Sequence, residues 1–249
     1  MITTETHGTT SVLKLEHGKA NALDLELLIE LERQLIAFEE SPQRSMVLTG
    51  RDRIFGAGVD LYRLVDGGDA YLVQFLDALD RAFRKLYSLE KPVVAAVNGH
   101  AIAGGCILAL ACERRLMSAG QGSMGITELL VGVPFPSMAL EIVRSGLAPH
   151  VVEDLLFSGR LCAPEECLRL GLVHAVVEGQ ALLTEALKAA AHLGAISSET
   201  YRMTKREFRA AALRRVDGEG AQYDVQVRKR WHSKDVHERI RQFMKSTMG

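Results

Sequence analysis

The chain has 249 residues, 47% hydrophobic and 24% charged, enough to bury a large core as one domain or as a core with a helical extension. Thirty basic side chains against 31 acidic ones give a net charge of −1, which argues against nucleic acid or an anionic membrane as the main partner. Four cysteines, at 106, 112, 162 and 167, have neither metal-ligand spacing nor a secreted framework; free thiols and no metal site are expected. The N-terminal stretch has no basic-then-apolar signal, so a reducing, cytoplasmic location is the expectation.

In chain order, residues 11–16 alternate as a half-buried strand, and Asp24 opens a helix with Leu27, Leu28, Leu31, Leu35 and Phe38 on one side. Residues 45–49 read as a buried strand. The segment IFGAGVDL, 54–61, read alone, is a strand and a Gly-rich loop with Asp60 as a helix N-cap. An amphipathic helix follows over 70–87, with Leu72, Phe75, Leu76, Leu79, Phe83 and Leu86 at core spacing. Residues 93–112 match a bilayer span in length, but Pro92, Asn98, Gly99, His100, Gly104 and Gly105 make them a strand, a turn and a helix.

A strand over 115–119, helices over 137–144 and 150–157, and a last strand over 173–177 complete an α/β pattern. From residue 181 onward the periodicity is helical, including one long helix over 221–245 whose Trp231, Val236, Ile240 and Phe243 share a side long enough to cross a neighbouring subunit. Two units are expected: an α/β core over 1–179 and a helical extension over 180–249. The basic residues Arg202, Lys205, Arg206, Arg209, Arg214 and Arg215 read as a solvated helix face.

The turn between residues 97 and 106 presents bare backbone N–H groups at a helix start, where the peptide dipole favours negative charge. The glycines of IFGAGVDL allow a ligand to approach the main chain there too. Together the two segments resemble the signatures of the crotonase, or enoyl-CoA hydratase/isomerase, superfamily: F-x-A-G-[AV]-D-[LI], and K-P-[VT]-[VI]-A-A-[VI]-x-G-x-[AC]-x-[GA]-G-G beginning at Lys91. Four further matches occur in order: KANAL at 19–23, LFSG at 156–159, the stretch 163–177, and 233–243. The resemblance implies a spiral of repeated ββα units followed by C-terminal helices.

It also implies a chemistry. The main-chain N–H groups of Val59 and Gly104 would hold a thioester oxygen as it gains negative charge, and Glu128, within GITELLVGVP, would be the acid/base. Among Ile126, Leu129, Leu130 and Val133 a carboxylate is partly desolvated, which raises its proton affinity. By the same resemblance Lys19, Ala20, Ala22, Ala57 and Leu61 contact the coenzyme A portion, Gly105 binds substrate beside the donor turn, and Val131, Pro134, Phe135 and Met138 line the acyl tunnel. Coenzyme A enters as part of the substrate, with no separate cofactor, and the family's usual assembly is a homotrimer or hexamer.

Family hydratases have a second glutamate after the G-G-G-C turn; here that position is Ile107. Moving a double bond needs one base, whereas hydration benefits from two carboxylates, so 3-enoyl-CoA to 2-enoyl-CoA isomerisation is expected ahead of hydration. A non-catalytic acyl-CoA-binding scaffold is a second alternative, opposed by the retention of Glu128. Gly120-Gln121-Gly122-Ser123-Met124-Gly125 spells a dinucleotide fingerprint, but Gly132 and Pro134 interrupt the helix that should follow and Glu141 falls in a helical pattern. His100 reads as a hydrogen-bonded structural histidine and Asp60 as a cap.

Overall fold

Through the middle of the chain, successive strands alternate between two sheets, and this stepping builds the site. The computed structural model describes residues 1–120 and 122–247. Strands β1 (Ile2–His7) and β2 (Thr10–Leu15) form an antiparallel hairpin, followed by helix α1 (Leu25–Glu40). Three units then repeat one plan. β3 (Ser45–Thr49) and β4 (Ile54–Gly56) lead to α2 (Leu61–Asp66) and α3 (Gly68–Ser88). β5 (Val93–Val97) and β6 (His100–Ile102) lead to α4 (Gly104–Ala111), and β7 (Arg114–Ser118) and β8 (Met124–Gly125) lead to α5 (Glu128–Val131) and α6 (Ser137–Gly146).

The first strand of each unit joins a six-stranded sheet of order β1-β2-β3-β5-β7-β10, and the second a four-stranded sheet of order β4-β6-β8-β9. Within these, β2, β3, β5, β7 and β10 (Ala175–Val177) run parallel, as do β4, β6 and β8; β9 (Leu161–Cys162) is antiparallel to β8. This is the ββα spiral that the resemblance implied. Helices α7 (Pro149–Ser158) and α8 (Pro164–Leu170) flank β9.

The central strands are buried on both faces, which explains their unbroken apolar runs. Leu13, Met46, Leu48, Val93, Ala95, Val97 and Met117 face the main core with the apolar stripes of α1 and α3. Val12, Val47, Val94, Ala96 and Leu116 face Leu182, Ala186 and Ala190 of α9 (Leu182–Gly194). Helices after residue 180 are therefore part of the packing: Ala212, Val216, Val227, Trp231, Val236, Ile240 and Met244 belong to the main core.

Two expectations are corrected here. The single helix over 221–245 is two, α11 (Ala221–Trp231) and α12 (Lys234–Thr247), broken at His232 and Ser233. Ser233 begins the second helix, its carbonyl accepting from Val236 and His237 N–H at 3.1 and 3.2 Å while its hydroxyl turns back to Arg230 O at 2.6 Å. The break folds α12 back onto its own chain, against α2 and α5, so Val236 and Ile240 are buried within one protomer.

The basic group on α10 (Ser198–Arg215) is likewise not uniformly solvated. Lys205 and Arg209 are buried. Lys205 Nζ donates to Lys91 O and pairs with Glu113 Oε1, both at 2.9 Å. Arg209 donates to Tyr87 O, to Ala111 O at 3.0 Å and to Glu113, with its guanidinium 4.1 Å from the Tyr87 ring centre. Burial pulls the Lys205 ammonium below its usual range, opposed by Glu113. Glu113 Oε2 accepts Val93 N–H at 2.8 Å, so one carboxylate ties α10 to the strand β5. Replacing Glu113 by Gln leaves two buried cations without their counter-charge; a loss of about 3 kcal/mol in urea denaturation at pH 7 is expected.

Candidate active site

The loop before α1 holds the first donor in place. Asn21 is buried at φ +48°, a left-handed conformation that asparagine tolerates better than most residues. Its Nδ2 donates to Leu15 O at 3.0 Å and Ile54 O at 3.2 Å, and its Oδ1 accepts His17 N–H at 2.8 Å. That fastens the 17–23 loop to β2 and β4. Leu23 then bridges the loop after β4, giving its N–H to Gly58 O at 2.7 Å and accepting Asp60 N–H at 2.9 Å. The bridge turns the Val59 N–H away from Leu23, with no acceptor among the described residues.

The second donor begins α4. Ala103 precedes it at φ +50°, ψ −124°, a conformation that favours glycine and costs an alanine about 1–3 kcal/mol. This turn aims Gly104 N–H outward from the helix, again without an acceptor among the described residues. The two turns are in contact: a methyl built on Gly58 would lie 2.8 Å from Ala103 Cβ and 3.6 Å from Gly104 N. Gly105 packs on Gly56, where a Cβ would fall 2.2 Å from the carbonyl oxygen. Its role is this close approach of backbones, and it does not line the cavity.

Glu128 opens α5, next to Thr127. Although the residue as a whole is partly exposed, its Oε2 is enclosed and is the one buried side-chain oxygen or nitrogen without a partner among the described residues. Burial pushes its carboxyl up from 4.5 to about 8, opposed by the N–H groups of Glu128 and Thr127. Of the apolar neighbours expected around it, Ile126 and Val133 are buried but Leu129 and Leu130 turn outward. The desolvation comes from the fold around it.

Val59, Gly104 and Glu128 meet on the wall of one cavity of about 340 Å³. Ala20, Ala22, Ala57, Leu61, Val131 and Phe135 also line it. Four expected residues do not. Lys19 projects from the exposed surface, Gly105 packs on Gly56, Met138 is fully buried in the core, and Pro134 gives its carbonyl to Trp231 Nε1 at 2.9 Å. In their place come Leu79, Phe83, Val133 and Ala139, with Trp231, Phe243 and Thr247 from the C-terminal helices. Trp231 and Phe243 were legible as an apolar face, but the break at Ser233 that turns them inward was not anticipated.

Ile107 is buried on the cavity wall, where a second glutamate would be in the two-carboxylate pattern. The other carboxylate on the wall is Asp60, and it caps α2 by accepting Arg63 N–H at 3.0 Å. His100 is occupied by Ser123 Oγ at 2.9 Å and lies off the cavity. The dinucleotide reading fails on topology: Gly122 to Gly125 run into β8, no helix starts on them, and Gln121 lies outside the described residues. Glu141 is buried on α6 between Arg144 at 2.9 Å and Arg215 at 2.6 Å.

The family model for enoyl-CoA hydratase/isomerase matches residues 5–247. The chain belongs to the enoyl-CoA hydratase/isomerase family. It is 35% identical over 191 residues to a putative enoyl-CoA hydratase of Thermus thermophilus, covering 75% of each chain. To human mitochondrial enoyl-CoA delta isomerase 1 it is 30% identical over 209 residues, covering 83% of this chain and 69% of the relative. The crystal structure of human mitochondrial delta3-delta2-enoyl-CoA isomerase superposes with a TM-score of 0.92 at 27% identity, over 99% of this chain and 98% of that one.

Relatives in the enoyl-CoA hydratase/isomerase family carry both reaction names, so the choice between them turns on the carboxylates in this cavity. The protonation of Glu128 is measurable without substrate. With a folded-state value near 8 against an unfolded 4.5, the native protein holds a proton between those pH values that the unfolded chain has released. Stability therefore falls as pH rises through that window. Glu128→Gln removes the effect: its melting temperature should exceed that of the parent at pH 9, with the gap closing toward pH 5 in differential scanning calorimetry.

Proposed function

We propose that this protein shifts the double bond of a 3-enoyl-CoA to the 2-position, and the observation that carries the reading is one carboxyl with an enclosed, unpartnered oxygen in a cavity with two free backbone donors and no second available carboxylate. The thioester oxygen sits between Val59 N–H and Gly104 N–H. Unprotonated Glu128 takes a proton from C2, and the electron pair delocalises through C1 onto the thioester oxygen and across C3 to C4, giving a dienolate. Glu128 then returns the proton at C4, leaving the double bond between C2 and C3. Two aimed donors contribute several kcal/mol to such an intermediate. Backbone N–H groups serve as donors whatever the side chain, so Val59 does the work of a smaller residue.

The chemistry needs no cofactor beyond the coenzyme A of the substrate. Four buried, unpaired cysteines support a reducing, cytoplasmic setting, and the reading keeps self-association as a homotrimer or hexamer. Hydration of a 2-enoyl-CoA is the second reading, favoured by the identity to the Thermus thermophilus relative. It needs a water held and split, and of the two carboxylates on the wall Asp60 is engaged in capping α2.

Incubation with trans-3-hexenoyl-CoA should produce enoyl absorbance without a mass change, with little reaction of crotonyl-CoA. Addition of water to crotonyl-CoA would instead assign hydration. Glu128→Gln should retain acyl-CoA binding and lose activity by about 10²–10⁴-fold; equal turnover by mutant and parent would exclude Glu128 as the base. Because the base form is required, kcat/KM should rise with pH toward a plateau above about 8.

A further inference from the structure

The cavity grades from the exposed Tyr62 and the partly exposed Ala20 and Ala57 at one side to buried residues, Leu79, Phe83, Val133, Phe135, Ala139 and Trp231. The enclosed side is apolar throughout, as the seat of an acyl chain must be. Trp231 differs from its neighbours in how firmly it is held. It is the last residue of α11, and its carbonyl accepts from His237 Nε2 at 2.9 Å across the break. Its indole donates to Pro134 O at 2.9 Å, within the same segment that supplies Val133 and Phe135 to the wall. The ring packs on Phe75 with centroids 6.5 Å apart, and Phe75 stacks on Tyr71 at 6.1 Å. Tyr71 Oη in turn accepts Leu25 N–H at 3.3 Å. A side chain fixed at its backbone, its polar edge and its face cannot swing aside for a longer ligand.

We infer that Trp231 is the end plate of the acyl channel and limits the enzyme to short and medium acyl-CoA thioesters. The inference rests on the acyl-CoA reading above, and it extends that reading to the size of the acyl group. At about 30 Å³ for a water-sized group, the cavity takes roughly ten such groups, the thioester and the part of coenzyme A against Ala20, Ala22, Ala57 and Leu61 included. That sets an upper bound of about eight carbons on the acyl chain. Up to the plate each added methylene is buried, which strengthens binding about fourfold. Beyond it the chain has to displace packed aromatic rings. Phe243, on α12, lines the same cavity but is only partly buried, and its wall position is independent of the stacked rings behind Trp231.

The test uses saturated acyl-CoAs from four to sixteen carbons, which bind without reacting, measured by calorimetry on the full chain, alongside turnover of 3-enoyl-CoAs of the same lengths. The parent should gain about fourfold per methylene up to a limit at or below about eight carbons, and nothing or a loss beyond it. Trp231→Ala should move that limit outward, raising the ratio of twelve-carbon to six-carbon affinity at least tenfold. Trp231→Phe, which keeps an aromatic plate and loses the bond to Pro134, should leave the limit within two carbons of the parent and guards against misfolding of the alanine variant. A limit that stays in place in Trp231→Ala, or a parent whose affinity climbs unchecked to sixteen carbons, overturns the inference. A parent that binds the saturated series with a length limit but turns over no 3-enoyl-CoA overturns the isomerase reading alone. Failure to bind any acyl-CoA overturns both.

Discussion

The site depends on two backbones meeting without side chains between them. Gly105, in the first turn of α4, lies against Gly56 at the end of β4, and Gly58 lies against Ala103. Because β4 and β6 are parallel neighbours in the small sheet, the loops that leave them emerge side by side. Each loop leaves one N–H group without an acceptor among the described residues, and the two residues that carry them, Val59 and Gly104, line the same cavity. A Cβ at Gly105 would fall 2.2 Å from Gly56 O and push the loops apart, whereas one at Gly56 would lie 3.2 Å from Gly105 Cα, so Gly105 is a steric requirement of the contact, independent of what binds there.

Two features of the site work against stability. Ala103 adopts a conformation normally left to glycine, and Glu128 keeps a buried carboxyl oxygen without a hydrogen bond. Neither would persist in a chain optimised only to fold. The surrounding packing supplies the compensation: β3 and β5 are buried on both faces, by α1 and α3 on one side and α9 on the other. A carboxyl with one oxygen enclosed and unpartnered, pushed to about 8, is poised to exchange protons near neutrality, which the same group exposed to water would not be.

The long elements were legible because their periodicity records burial directly. Asp24 with Leu27, Leu28, Leu31, Leu35 and Phe38 is the cap and buried face of α1 as read. The short strands β6, β8 and β9 escaped, since two or three residues cannot display alternation and their pairing is set by partners far along the chain. Lys205 and Arg209 look like surface cations in sequence because helical spacing says nothing about a carboxylate such as Glu113 arriving from another element. For the cavity, the loops carrying Val59, Gly104 and Glu128 were visible as motifs, whereas Leu79 and Phe83 read only as core residues and Trp231 as part of a face that would cross a neighbouring subunit. One face of a helix can serve both purposes, and periodicity does not separate them.

The break at His232 and Ser233 changes what the chain is able to do by itself. An unbroken helix over 221–245 is about 37 Å long at 1.5 Å per residue and would have to leave the protomer. Broken, it returns as α12 over α2 and α5, the two helices that start beside Val59 and at Glu128. The cavity wall is then completed by Trp231, Phe243 and Thr247 of the same chain. Docking of α12 also covers apolar surface around the site and keeps water from it, which raises the electrostatic value of the two N–H donors and the desolvation of Glu128 together. Loosening α12 from α5 would therefore weaken the base and the donor pair in one step, even though none of the three groups lies on that helix.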